Sequence, residues 1–139
     1  MAVRKGDQEQ GKLQVIEHMK GLLRYTHDRV KDNKIFPKSE RWLMAKDIWD
    51  AARDANRYII RANRIVVENR GDAETRLRYE KLAIGCLDEL SSLIDTAHML
   101  GQISADRAGY WTKLTTDTEH LALAWLKANR RSYQQLFKE

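Results

Sequence analysis

Two quartets, "DTAH" at residues 95–98 and "DTEH" at residues 117–120, set an aspartate three places before a histidine. On a helix, residues three apart share a face. An acid-x-x-His pair from each of two helices is the donor spacing of di-metal carboxylate sites. The spacing around these quartets argues against a joint site. His98 falls about three residues before a turn at Gly101, and His120 about fifteen residues into the next helix. In an antiparallel pair they stand roughly 18 Å apart in height. His18 and His27 have no partner at ligand spacing, and Cys86 falls on an apolar helix face where a thiol acts as a small hydrophobe. A glycine-rich phosphate loop, a nucleophile elbow and a paired-cysteine motif are all missing from the sequence. The residues predict no metal, no cofactor and no enzymatic activity.

A row of cations offers different chemistry. Around a helical wheel, Lys46, Arg57, Arg61 and Arg64 fall within about 80° of Arg53, and the apolar stripe of the same segment centres near 240° from it. The row is roughly 27 Å long at ~1.5 Å per residue, and Asp50 and Glu68 interrupt it. One reading is a solvated face held by salt bridges. The other is a stripe that tracks the phosphates of RNA or DNA, because guanidinium matches phosphate bidentately. Lys127, Arg130 and Arg131, followed by Tyr133 and Phe137, extend the second reading with aromatics able to stack on unpaired bases. Trp42, Trp49, Ile60 and Val67 form an apolar strip between the core stripe and the cations. It is either an oligomer interface or part of a broad core.

The elements that must position these residues are helices. Apolar residues recur with helical period in four segments, on Val15, Met19 and Leu22, on Ile48, Ala52 and Ile59, on Leu87, Leu90 and Ile94, and on Trp111, Leu114 and Trp125. The single proline, in "IFPKSERW" (35–42), stops the first helix near Lys34. Ser39 is placed to cap the second, and Phe36 and Trp42 to close the bundle end. Gly71 with Asp72, and Gly101 with Ser104, read as paired stops and starts, with Asp106 in the fourth helix's first turn. Short links make consecutive helices antiparallel. The expected fold is all-α, an up-down-up-down antiparallel four-helix bundle over residues 12–130. Residues 1–11 read as a flexible N-terminal tail and 131–139 as a basic, aromatic C-terminal tail.

At 139 residues the chain suits one domain. No run approaches the ~18 apolar residues of a membrane span, and a lone cysteine fits a reducing cytoplasm. The net charge of +5 is unevenly spread: residues 1–37 and 38–70 are each +3, residues 72–100 are −3, and 101–139 are +2.

"FPKSER" opening the second helix, "CLDELSSLIDTAHML" in the third and "LALAWLKA" near the end together resemble the accessory variability determinants of diversity-generating retroelements, over roughly residues 12–128. That resemblance implies a ring-shaped homo-oligomer, a pentamer. It also implies a non-enzymatic role, binding a reverse transcriptase and its template RNA or complementary DNA in support of mutagenic retrohoming. Phe36, Pro37, Lys38, Ser39, Glu40 and Arg41 match the family's pattern as residues of fold and assembly, and Trp125 and Lys127 match it near the end. Asp95 departs from the pattern by standing where family members carry a basic residue. Partner contacts are therefore expected from the second-helix arginines. A stand-alone scaffold of the same family, without a nucleic-acid role, is the alternative.

Overall fold

In the computed structural model, residues 5–39 and 41–138 are described, and Glu40 lies outside them, as do residues 1–4 and 139 of the expected tails. Four helices carry the chain: α1 (Lys5–Val30), α2 (Lys46–Arg64), α3 (Arg70–Met99) and α4 (Ala105–Ser132). Each packs on the next, and α1 packs on α4 to close the bundle. There is no strand among the described residues. Tyr58 near the end of α2 stacks 6.1 Å from Tyr79 near the start of α3. Asn129 at the end of α4 meets Glu80 early in α3, and Trp111 early in α4 donates to Thr26 late in α1 at 3.1 Å. Neighbouring helices are therefore antiparallel.

Buried positions alternate at spacings of three and four on every helix. They are Val15, Met19, Leu22 and Thr26 on α1, and Ala45, Ile48, Ala52, Ala55, Ile59 and Ala62 through α2. Leu87, Leu90, Ile94 and Ala97 continue the pattern on α3, as do Trp111, Thr115, Thr118, Ala122 and Trp125 on α4. This is the inward seam of a bundle with small crossing angles. Cys86, Tyr79 and Leu93 are half-buried and pack against the core from its edge.

Several boundaries differ from the sequence reading. α1 ends at Val30, and residues 31–36 form a turn in which the Ile35 and Phe36 amides both donate to the Asp32 carbonyl. Phe36 is fully buried and seals that end, whereas Trp42 is 79% exposed. The chain enters α2 through a π-helical turn, Arg41–Ala45, in place of a regular first turn capped by Ser39. α2 stops at Arg64, so Val66, in phase with the apolar stripe of α2, is exposed on an extended link. Gly71 lies inside α3, whose cap is Asn69: its Oδ1 accepts from the Asp72 amide at 2.9 Å, and Asp72 Oδ2 accepts from the Glu68 amide at 3.1 Å. Gly101 takes the left-handed conformation at φ 79°, and the Ser104 hydroxyl accepts from the Arg107 amide, both as expected. The helix α1 starts within the segment read as an N-terminal tail. The segment read as a C-terminal tail continues α4 to Ser132 and then forms a short 3-10 helix, Gln134–Phe137, that packs on α3 and α4.

One buried group went unforeseen. Glu80 is 1% exposed and accepts from Asn129 Nδ2 at 2.5 Å, while Glu80 Oε2 and Asn129 Oδ1 have no partner among the described residues. Burial pushes the Glu80 carboxyl up to about 7, against the opposing pull of the Asn129 hydrogen bond, Arg76 and Arg130. A raised carboxyl favours the folded state while protonated. Its contribution is complete below about 4.5, its ordinary value, and is lost as pH rises to about 7. Stability should fall by roughly 3 kcal/mol across that window. In Glu80→Gln this component should vanish, leaving urea midpoints at pH 5 and pH 8 closer together than in the wild type. Asn69→Ala, which removes the α3 cap, should cost about 1 kcal/mol in the same titration.

Candidate nucleic-acid interface

Alanine shapes the site. Ala51, Ala52, Ala55 and Ala62 fill the buried side of α2 and bring it close against α3, so the opposite side of the helix is free of the bundle. Lys46, Arg53, Arg57, Arg61 and Arg64 are all exposed on that outer side. The row exists as the periodicity predicts, with carboxylates set into it. Lys46 reaches Asp50 at 2.8 Å, and this pairing holds its ammonium above the usual lysine range. Arg53 lies between Asp50 at 3.4 Å and Asp54 at 3.3 Å, and Arg57 meets Asp54 at 2.7 Å. Arg61 and Arg64 pair with no carboxylate among the described residues. The Arg61 guanidinium lies 5.9 Å from the centre of the Tyr79 ring. Pairs this exposed are worth about 0–1 kcal/mol and exchange partners readily.

The C-terminal cations lie at the end of the bundle where α2 also ends. Arg76 of α3 donates to the Ile65 carbonyl just past α2 and lies over the rings of Trp125 and Tyr133. That places the end of α4, with exposed Lys127, Arg130 and Arg131, at the same end of the bundle as the end of α2, with Arg76 between them. The aromatics expected to stack on bases are engaged elsewhere. Tyr133 is half-buried beneath Arg76, and Phe137 lies 5.6 Å under the Arg70 guanidinium.

The apolar strip does not survive as one surface. Trp42 sits on the π turn, which advances the chain by a smaller angle per residue than an α turn, so extrapolating α-helical phase misplaces it. Val67 lies beyond α2 on the extended link. Ile60 is 37% exposed, about three turns along α2 from Trp49. Trp42 and Trp49 instead line one cleft of about 580 Å³ at the corner between α1 and α2, together with Val30, Lys38, Arg41 and Lys46. Arg41 donates to Asn33 Oδ1, which ties the turn to the end of α1. Trp49 also meets the His27 ring edge-on at 5.8 Å. Lys38 and Arg41 adjoin Trp42 in the sequence, but the cleft that gathers them with Lys46 and Trp49 forms only through the irregular turn.

The histidines serve local structure. His98 Nδ1 lies 3.0 Å from the Ile103 carbonyl across the α3–α4 turn. His120 lines a shallow cleft with Gln14, His18 and Asp117, a juxtaposition made by the antiparallel α1–α4 packing. Among the described residues, no group of three His, Cys, Asp or Glu side chains is arranged to hold a metal ion. Burial, with Asp54 and Glu89 nearby, pushes the Cys86 thiol up and away from nucleophilic thiolate. Across the α3–α4 seam, Glu119 faces Asp88, and burial together with that charge holds the Glu119 carboxyl above its usual range. This flank is acidic. No helix among the described residues is long and apolar enough to cross a membrane. No model of a known family, no curated protein and no solved structure matches the chain.

Proposed function

We propose that this chain is a non-enzymatic, basic accessory protein that binds nucleic acid through phosphate contacts along α2. Following the resemblance in "FPKSER" and the third and fourth helices, its partners are a reverse transcriptase and the template RNA or complementary DNA of a diversity-generating retroelement. The observation that carries the reading is the row of five exposed cations along α2, Lys46, Arg53, Arg57, Arg61 and Arg64. A groove or strand that reads base edges is not part of this surface, so binding follows phosphate and shape with weak sequence preference. Assembly into a ring-shaped homo-oligomer, pentameric by the resemblance, belongs to the same reading.

A second reading, a scaffold whose arginines only keep it in solution, is favoured by the pairing of Lys46, Arg53 and Arg57 with Asp50 and Asp54. Salt dependence separates the two. If all five cations displace counterions from a duplex, log K against log salt has a slope near −4.5, at about −0.9 per contact. The Arg57→Ala/Arg61→Ala double variant should flatten it by up to roughly 1.8, with the helical circular dichroism unchanged. An unaltered slope would remove α2 as the binding surface and leave the scaffold. Light scattering at micromolar concentration should return a multiple of the 16.3 kDa chain mass; a monomer would discard the ring.

A further inference from the structure

We propose that the cleft at the α1–α2 corner is a stacking site for an unpaired nucleotide. One base would lie against Trp42, with Lys38, Arg41 and Lys46 taking the flanking phosphates. The proposal rests on the nucleic-acid reading of α2 and gives it a preference, for single strands over duplex.

Three observations carry it. Trp42 is 79% exposed on a π turn, an irregularity that recurs at functional sites and that sets the indole outward from a helix otherwise in register with the core. The cleft it lines, about 580 Å³, has apolar walls from Val30, Trp42 and Trp49, a shape that admits a flat ring. The rim is cationic: Lys38, Arg41 and Lys46 line it, and no carboxylate does among the described residues. Asp50, which pairs with Lys46, stands outside the lining. An aromatic platform inside a positive rim is the arrangement that holds single strands without reading their sequence. Charge also selects the occupant. A like-charged rim opposes the same corner of a second copy, whereas a polyanion with flat, apolar bases suits both the walls and the rim. Lys46 is common to the cleft and to the α2 row, so a strand seated on Trp42 continues toward Arg53 and Arg57, where its phosphates compete with Asp50 and Asp54 for the cations.

The test uses the full chain with a twelve-nucleotide oligouridylate and a duplex of equal length. Binding is read by fluorescence anisotropy and by quenching of tryptophan emission. Trp42→Ala should weaken the oligouridylate roughly 5- to 150-fold and leave the duplex within about twofold, since one stacked base is lost. Trp42→Phe should retain most of the single-strand affinity, and oligouridylate should quench the wild type more than Trp42→Phe. Equal losses on both probes, or none on either, would overturn the stacking site. So would a Trp42→Ala variant whose light-scattering mass drops, because the cleft would then hold a second copy. If the wild type binds the duplex with the expected salt slope but not the oligouridylate, the stacking site falls and the α2 reading stands. If it binds neither, both fall.

Discussion

The close seam between α2 and α3 is the constraint on which the rest of this molecule depends. Ala51, Ala52, Ala55 and Ala62 give the buried side of α2 little volume, so the helix settles against α3 with Ile48 and Ile59 as its larger anchors. With one side committed in this way, the orientation of every other α2 residue follows, because a helix has no freedom to rotate once its narrow face is seated. Positive groups on the remaining side stay about half exposed, Lys46, Arg53 and Arg57 beside Asp50 and Asp54. The outward cations are thus a geometric consequence of the alanines, and the same seam stacks Tyr58 on Tyr79 and brings the Arg61 guanidinium over Tyr79.

The carboxylates within the row bear on how it works rather than on whether it is there. Asp50 and Asp54 have side chains 28% and 29% exposed, and the cations they meet are about half exposed. In that setting an ion pair holds its members in a chosen rotamer at little net gain, and a phosphate competes on nearly equal terms. Arg61 and Arg64, in the last turn of α2, face no such competition among the described residues. The α3–α4 flank carries the opposite sign, with Asp88 facing Glu119. The molecule therefore has a polarity across its width, and it agrees with the uneven charge of the four segments.

Periodicity made the bundle legible. The three-and-four spacing of Val15, Met19 and Leu22, and of Leu87, Leu90 and Ile94, is a direct record of which side faces inward. Gly101 and Ser104 were equally plain, because a left-handed stop and a hydroxyl cap are local chemistry. The failures came where local signals competed. Asn69 took the cap from Asp72, three residues away, because both are good acceptors and only the reciprocal bond to Glu68 decides between them. Val66 and Val67 continue the apolar pattern of α2 after the helix has ended. Trp42 was misplaced because wheel angles presuppose an unbroken α-helix. Glu80 and Asn129 were missed because a polar pair on two core stripes looks, in either helix alone, like one solvent-facing residue.

The π turn holds one residue more than a regular turn needs. From Ile48 onward the register of α2 is held by its own core contacts, so a one-residue deletion between Arg41 and Ala45 has a ready accommodation: the bulge relaxes into ordinary helix and the downstream seam keeps its partners. What such a shortened chain gives up is the projecting indole. Length variation at this point thus changes the outer surface of the corner while sparing the interior, which separates the inheritance of the scaffold from that of its rim.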